Sequence, residues 1–309
     1  MDPESATSSR ALLLRGGTVI DGSGAPRFDA DVRIEGERIV AIGAHLAPDG
    51  AFVLDATGRI VAPGFIDVHT HDDQIVLSAP QMLPKISQGV TTVVVGNCGI
   101  SLAPLVRSSV PPPLNLLGGT DKYVYPTMAA YVAAVDAIRP AVNVAALVGH
   151  STLRVATMDD PYRPATSAEQ SRMGDLLREG LAAGAAGLSS GVFYATGAAA
   201  DIDELALLAG ITGAAGGVYA THIRQEMDRV LDSLDEAFAT AQRGNVAVVI
   251  SHHKCAGPRN WGRAIETLIA PVDQECAVRF RGIGKVLPAW AVNLPKFRFA
   301  LPTAITGSA

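Results

Sequence analysis

The feature that most constrains the fold is a regular alternation of short apolar runs with longer segments of helical periodicity, which begins at Gly64. Such alternation is typical of βα units, in which parallel strands are covered by helices. It predicts strands near residues 64–69, 90–96, 143–149, 186–190, 217–222 and 246–251. It predicts helices near residues 74–88, 127–138, 167–183, 203–215, 225–243 and 261–269, with a capping box at Ser167 and Gln170 and C-caps at Gly184 and Gly244.

Parallel strands either stay in an open sheet or close into a barrel, and the sequence favours the barrel. The G-x-G-x-x-G motif of a dinucleotide-binding open sheet does not follow the first strand. Six strand and helix pairs are two fewer than a complete (β/α)8 barrel contains. The expected fold class is therefore α/β, an incomplete (β/α)8 TIM-type barrel of about six βα units.

The N-terminal part of the chain has a different character. Three β-rich runs, LLLRGGTVIDG, ADVRIEGERIVAIG and FVLDATGRIVAPG, are separated by Gly, Asp and Pro turn residues. We therefore expect three regions: a small β domain over residues 1–62, a partial barrel over residues 63–269, and an aberrant tail over residues 270–309.

The composition indicates the kind of partner. The chain has 309 residues, of which 48% are hydrophobic, and a formal net charge of -5. Mixed charges without a basic patch argue against binding to nucleic acid or to an anionic membrane, so the expected partner is a small-molecule substrate. Three cysteines, and no apolar run of roughly 18 residues, predict a soluble, unprocessed cytoplasmic protein with reduced thiols. The oligomeric state stays open.

Polar side chains at the carboxyl ends of the predicted strands form the candidate site, because barrels carry their reactive groups there. His69 and His71 lie one residue apart in GFIDVHTHDD, so strand alternation points both imidazoles to the same side. Imidazole and thiolate ligands that arrive from several strands suit zinc. The other strand ends carry Cys98, His150, Ser189, Ser190, His222, His252 and His253.

Several of these side chains also have an ordinary structural interpretation. His150 is expected to be a core or loop histidine, and Cys255 a small hydrophobic residue. If the strand continues, only one of His252 and His253 faces the site. The glycines that flank the Asn-Cys98 pair are expected to let the backbone come close to a ligand.

Longer motifs connect these residues to a known family. PGFIDVHTH resembles the first-strand metal motif of the amidohydrolase superfamily, and VVVGNCGIS, GLSSGVFY, THIRQE and SHHKCAGPRNWGR are similar to its N-acyl-D-amino-acid deacylases. The resemblance runs from about Ala11 to Ile269. It implies a D-aminoacylase activity, the zinc-dependent hydrolysis of N-acyl-D-amino acids to a carboxylate and a D-amino acid.

The resemblance also implies the metal ligands. His69 and His71 would lie at one metal site, and Cys98, His222 and His252 would form a tighter zinc site. Cys98 stands where many superfamily members have a carboxylated lysine, and it would touch both ions. The implied cofactor is one tightly bound zinc ion, with room for a second, weaker ion.

The same resemblance suggests residues that contact the substrate. Tyr194 would lie near the reacting carbonyl, although it would equally serve as a packing wedge between barrel and helices. Arg224 and Lys254 would hold the substrate carboxylate, with Arg224 offering the better geometry. In the alternative interpretation, both cations simply pair with Asp72 or Glu226.

The sequence departs from the family pattern near its C-terminus. The family mechanism needs an aspartate at the end of the eighth strand, and from Cys276 to Ala309 the chain has no Asp or Glu. We therefore expect a C-terminally truncated member, with impaired turnover and no certain catalytic acid. Two alternatives remain, a cyclic-amide hydrolase of the dihydroorotase or hydantoinase type and a non-catalytic zinc-binding remnant. The preferred acyl group and D-amino acid are not specified.

Overall fold

The computed structural model describes residues 11–263, which divide into two compact units between Gly64 and Phe65. The predicted tail over residues 270–309 and most of the helix predicted over residues 261–269 lie outside the described residues. The first unit contains five strands: β1 (Leu12–Val19), β2 (Phe28–Glu35), β3 (Arg38–Gly43), β4 (Phe52–Asp55) and β5 (Ile60–Val61).

These five strands form one sheet in the order β3-β2-β1-β4, with β5 also paired to β1. The β1–β2 and β2–β3 pairs are antiparallel, whereas β4 and β5 run parallel to β1. Gly36, with a φ of 59°, makes the tight turn between β2 and β3. Val19, Ala30 and Val32 form the buried cluster of this sheet. The three β-rich runs of the sequence thus become β1, β2 with β3, and β4 with β5.

The second unit is built on a six-stranded parallel sheet whose order, β13-β12-β11-β10-β7-β6, follows the chain. Consecutive parallel strands in chain order are the arrangement of a barrel segment, so the predicted fold class is confirmed. A short antiparallel pair, β8 (Leu105–Val106) and β9 (Val124–Tyr125), lies in the connection after β7. The strands of the sheet are β6 (Phe65–Asp67), β7 (Val90–Val95), β10 (Asn143–Gly149), β11 (Gly187–Gly191), β12 (Val218–His222) and β13 (Ala247–Ile250).

Helices connect these strands. The core between helices and sheet contains Val93, Val95 and Leu188 from the strands and Leu177 and Leu208 from the helices, all fully buried. This packing fixes the sheet and therefore the positions of its strand ends. The described α-helices are α1 (Ile75–Ser78), α2 (Leu83–Ile86), α3 (Met128–Ile138), α4 (His150–Thr157), α5 (Ser167–Ala182), α6 (Ala195–Ala198), α7 (Ile202–Ala214) and α8 (Val230–Arg243).

The helix predicted over residues 74–88 is in fact two short helices, α1 and α2. Pro80 and Pro84 lie within this segment, and Met82 adopts a φ of 46° immediately before α2. Proline lacks an N–H group and its ring clashes with the preceding turn, so one continuous helix cannot form. The prediction of one continuous helix was wrong because the spacing of apolar residues does not register the helix-breaking effect of the two prolines.

Other helix boundaries also differ from the prediction. The helices α4 and α6 were not predicted, and α4 begins at His150 directly after β10, without an intervening loop. Helix α8 begins at Val230 rather than near residue 225. The side chain of Gln225 accepts hydrogen bonds from the N–H groups of Met227 and Arg229, which holds this segment in a turn.

The caps of α5 are displaced by one residue from the prediction, whereas the C-cap of α8 is confirmed. The capping box of α5 is formed by Thr166 and Glu169, whereas Ser167 is already the first helical residue. Gly184 follows α5 with a φ of 101°, as a glycine after a helix often does. Gly244 is the C-cap of α8, as predicted, and keeps a helical φ of -81°. The left-handed residue is the next one, Asn245, with a φ of 46°.

Among the described residues, no helix has the length and hydropathy that crossing a bilayer requires.

Candidate metal centre

The five side chains predicted as metal ligands meet at the carboxyl edge of the parallel sheet. His69 and His71 follow β6, Cys98 follows β7, His222 ends β12 and His252 follows β13. They form two groups that share the cysteine, His69 with His71 and Cys98, and Cys98 with His222 and His252. Within each group the ligand atoms lie within 4.8 Å of one another. The structure therefore brings together all five predicted side chains.

The group of Cys98, His222 and His252 has the dimensions of a zinc site. The Sγ atom of Cys98 lies 3.7 Å from Nδ1 of His222 and 3.7 Å from Nε2 of His252. Those two ring nitrogens are 3.1 Å apart. A tetrahedral zinc ion with ordinary bond lengths would separate the same atoms by about 3.6 Å and about 3.3 Å. The three side chains already have the spacing that one zinc ion requires.

The group of His69, His71 and Cys98 is held to the same sulfur. Nε2 of His69 lies 3.4 Å from the Sγ atom of Cys98. The rings of His69 and His71 meet edge to face with centroids 5.6 Å apart, and the His69 ring also contacts the ring of His252 at 4.9 Å. Cys98 thus lies between both histidine pairs, where one thiolate can contact two ions.

The backbone around Cys98 is compact and left-handed. Cys98 has a φ of 56°, and Gly96 and Gly99 have φ values of 78° and 76°. A Cβ atom on Gly96 would lie 2.2 Å from the carbonyl oxygen of Leu147, and one on Gly99 would lie 2.8 Å from the nitrogen of Gly191. The glycines therefore make room for the backbone of β10 and β11.

Burial controls the ionisation of these ligands. Burial raises the pKa of the Cys98 thiol to about 12. Burial, followed by the neighbouring histidines, lowers the pKa of His69 to about 4, and burial also lowers the pKa of His71. Neutral imidazole is the form that binds a metal, whereas a thiol must lose its proton to do so. In the metal-free chain, burial therefore favours the neutral, metal-binding form of His69 and His71 and the protonated form of Cys98.

A buried carboxylate lies behind two of the ligands, and sequence analysis gave it no role beyond pairing with a cation. The Oε1 atom of Glu226 lies 3.3 Å from Nε2 of His222 and 3.1 Å from Nδ1 of His252, and Oε2 lies 3.0 Å from Nζ of Lys254. Burial opposes ionisation, but these three contacts lower the pKa of Glu226 below its usual value. The available sequence signal was its position four residues after His222 in THIRQE.

Lys85 contacts two aspartates that flank His69 and His71. The Nζ atom of Lys85 lies 2.7 Å from a carboxylate oxygen of Asp67 and 3.0 Å from one of Asp72. These aspartates flank the His-Thr-His sequence on either side. Lys85 therefore joins the two ends of the segment that presents His69 and His71, a contact that the sequence did not indicate.

Phe193 and Tyr194 both contact the ring of His222. The ring of Phe193 stacks on His222 with centroids 4.9 Å apart, and the ring of Tyr194 meets His222 at 5.0 Å. Burial raises the pKa of Tyr194 to about 12, so its hydroxyl group stays protonated at neutral pH. Tyr194 therefore packs against His222 and has a protonated hydroxyl group that can donate a hydrogen bond.

Arg224 is engaged by the protein itself. Its Nε and Nη2 atoms donate to Glu236 at 2.8 Å and 2.6 Å, and Nη1 and Nη2 donate to the carbonyl oxygens of Ala198 and Ala200. All three guanidinium nitrogens thus have protein acceptors. The partner is neither Asp72 nor Glu226, the two carboxylates that the sequence had suggested.

The remaining polar strand ends are structural. His150 is fully buried and its Nε2 atom lies 2.7 Å from Glu204, away from the ligand groups named above. Ser189 accepts a hydrogen bond from the N–H of Gly99 at 2.9 Å and so holds the loop of Cys98. Of the adjacent histidines, His252 is the one that faces Cys98.

A barrel sheet that presents candidate cysteine and histidine ligands at its carboxyl edge is typical of a metal-binding barrel protein. A sequence model described as the amidohydrolase family matches residues 53–284, which is more than half of the chain. The chain therefore belongs to the amidohydrolase family.

The similarity to individual deacylases is high. N-acyl-D-aspartate deacylase from Alcaligenes xylosoxydans xylosoxydans is 48% identical over 266 residues, which are 86% of this chain and 53% of that protein. D-aminoacylase from the same organism is 49% identical over 83% of this chain and 53% of its own length. The resemblance to deacylases of this family that the motifs indicated is confirmed. The chain spans about half the length of these relatives.

A solved structure agrees in both fold and sequence. N-acyl-D-glutamate deacylase from Bordetella bronchiseptica, determined with zinc and a phosphonate inhibitor that mimics the tetrahedral intermediate, superposes with a TM-score of 0.82 at 46% identity. The match covers 86% of this chain and 56% of that one. This relative and the ligand groups of the present chain together support a metal cofactor.

Proposed function

We propose that this chain carries the metal centre of a zinc-dependent hydrolase that cleaves the amide bond of N-acyl-D-amino acids. The observation that carries the proposal is the triangle of Cys98, His222 and His252, whose sides match one tetrahedral zinc ion. The names of the similar deacylases support the substrate class. The products would be a carboxylate and a free D-amino acid.

The donor set determines how two ions would be shared. We assign Cys98, His222 and His252 to the tightly bound zinc ion, because they supply one sulfur and two nitrogens at the right spacing. His69 and His71, with the shared sulfur, would hold a second, weaker ion. When bound, zinc supplies Lewis acidity that activates water and an amide carbonyl.

The neighbouring side chains would orient the substrate. Tyr194 lies beside His222, from where its hydroxyl group would donate a hydrogen bond to the substrate carbonyl oxygen. Lys254 would bind the substrate carboxylate, because its side chain is half exposed and its ammonium group has further N–H donors beyond the contact with Glu226. Arg224 belongs to the framework of the site, since its donors are used within the protein.

Metal analysis of two cysteine variants tests the ligand assignment. Cys98→Ala should remove tightly bound zinc, because the sulfur is shared by both groups. Cys255→Ala is the matched control, since Cys255 is also a free cysteine but is only partly buried and belongs to neither group. Equal zinc contents in Cys98→Ala and the wild-type chain would refute the assignment.

Amine release distinguishes the proposed activity from its alternatives. We expect impaired hydrolysis of N-acetyl-D-methionine, N-acetyl-D-aspartate or N-acetyl-D-glutamate relative to D-aminoacylase, and no hydrolysis of their L enantiomers. Lys254→Met should raise the KM of the remaining activity. Preferential opening of dihydroorotate or hydantoin would instead indicate a cyclic-amide hydrolase. Zinc binding without any hydrolysis would indicate a non-catalytic zinc protein. The same assay beside D-aminoacylase measures whether turnover is impaired.

A further inference from the structure

The carboxylate of Glu226 faces His222 and His252, two proposed metal ligands, through the ring nitrogens that do not face Cys98. His222 presents Nδ1 to Cys98 and Nε2 to Glu226, whereas His252 presents Nε2 to Cys98 and Nδ1 to Glu226. The nitrogen that faces Cys98 is therefore Nδ1 in one ring and Nε2 in the other. One oxygen atom, Oε1 of Glu226, lies between their outer nitrogens at 3.3 Å and 3.1 Å.

The outer nitrogens have no competing partner in the described part of the chain. Nε2 of His222 and Nδ1 of His252 are both buried and make no well-aligned hydrogen bond, and Glu226 is the acceptor within ion-pair distance of each. A histidine that binds a metal through one nitrogen carries a proton on the other, which needs an acceptor. Oε1 of Glu226 is in place to be that acceptor for both rings.

Several contacts fix the carboxylate itself. Glu226 is only 5% exposed, and its second oxygen, Oε2, lies 3.0 Å from Nζ of Lys254. Its backbone carbonyl accepts a hydrogen bond from the N–H of Ala256 at 2.6 Å, which joins the segment after β12 to the segment after β13. The two ligand-bearing segments and their common carboxylate thus form one connected unit.

We propose that Glu226 is a positioning residue that sets the ring orientation and the tautomer of both His222 and His252, and thereby the zinc affinity of the Cys98, His222 and His252 group. This inference rests on the proposed metal centre. Because one oxygen serves two ligands, loss of its charge weakens both at once. Loss of an outer carboxylate typically lowers metal affinity about 10- to 100-fold.

Competition with a chromogenic chelator measures the zinc dissociation constant of the 309-residue chain and its variants. Glu226→Gln keeps the volume of the side chain but replaces the carboxylate by a neutral amide, and we expect affinity to fall about 10- to 100-fold. Glu226→Asp keeps the charge on a shorter side chain and should recover part of this loss. Lys254→Met removes the third partner of Glu226 and should lower zinc affinity less than Glu226→Gln does, because both histidine contacts remain.

Glu236→Gln is the matched control for a general structural effect. Glu236 is also a largely buried carboxylate paired with a cation, Arg224, but it does not contact a proposed ligand. We expect it to lower the melting temperature of the metal-free chain without changing zinc affinity. Equal zinc affinity in Glu226→Gln and the wild-type chain, whatever their melting temperatures, would overturn the role of Glu226. A wild-type chain that binds no zinc would overturn the proposed metal centre as well.

Discussion

Replacement of Glu204 by glutamine should strongly destabilise the barrel unit. Glu204 lies near the start of α7 and is 1% exposed. One of its oxygens lies 2.7 Å from Nε2 of His150 and accepts a hydrogen bond from Nη1 of Arg154. Both partners are fully buried in α4, so this carboxylate joins two helices of the barrel through a buried charge network.

The magnitude follows from the ionisation of the carboxyl group. Burial alone would raise the pKa of Glu204, but His150 and Arg154 outweigh it and lower the pKa from 4.5 to about 2. A lowering of this size corresponds to roughly 3 kcal/mol of stability at neutral pH. Breaking a buried ion pair by removing one partner costs about 3–5 kcal/mol, because the other charge is left buried. We therefore expect Glu204→Gln to lower the free energy of unfolding by about 3 kcal/mol.

Urea denaturation followed by far-ultraviolet circular dichroism at pH 7 measures this change. Asp203→Asn is the matched control, because it makes the same chemical change one residue earlier in α7, where the side chain is 72% exposed and paired with Arg243. An exposed pair of this kind contributes less than about 1 kcal/mol. A loss in Glu204→Gln no larger than in Asp203→Asn would refute the argument that the buried network stabilises the barrel.

Three further predictions concern the same unit and use the same denaturation experiment. Because the pKa of Glu204 is lowered, its contribution to the free energy of unfolding is present above pH 4.5 and is lost as the pH falls toward 2. The difference in unfolding free energy between the wild-type chain and Glu204→Gln should therefore shrink by roughly 1.4 kcal/mol between pH 7 and pH 3.5. A difference that stays constant with pH would contradict this linkage. Gly187→Ala should lower the free energy of unfolding by about 1–3 kcal/mol, because its Cβ atom would lie 1.9 Å from the carbonyl oxygen of Val218. Gly210→Ala in the middle of α7 would make only an ordinary contact at 3.9 Å and should raise that free energy by about 0.5–1 kcal/mol. Effects of the same sign would show that the backbone crowding at Gly187 does not decide its stability. Thr166→Ala should cost about 1 kcal/mol because it removes the acceptor for the N–H of Glu169, and an unchanged midpoint would show that the capping box of α5 does not contribute.

The strands of the barrel were predictable because their signal is local. The run of β7 (Val90–Val95) was expected over residues 90–96, and that of β12 (Val218–His222) over residues 217–222. Buried parallel strands need continuous apolar side chains, so the sequence marks them directly. Helices were less certain where two local signals competed, as in residues 74–88, where an apolar period runs across two prolines.

The identity of the candidate ligands was also determined by the sequence. Strand alternation predicted that His69 and His71 share a side, although both residues follow the end of β6 at Asp67. Cys98, His222 and His252 were among the polar residues at the strand ends, and the family resemblance selected them as ligands. Parallel strands in sequential order then bring these ends to one edge, whatever the details of packing.

The partners of those ligands were decided only by the tertiary structure. Glu226 contacts His252 and Lys254, which follow a different strand. Lys85 contacts Asp67. Arg224 pairs with Glu236 rather than with the carboxylates nearer in sequence to the candidate ligands. A long charged side chain has several oppositely charged partners within reach along the chain, and sequence spacing does not rank them. The choice depends on which groups are buried together, because an unpaired charge is costly only where packing has removed the water.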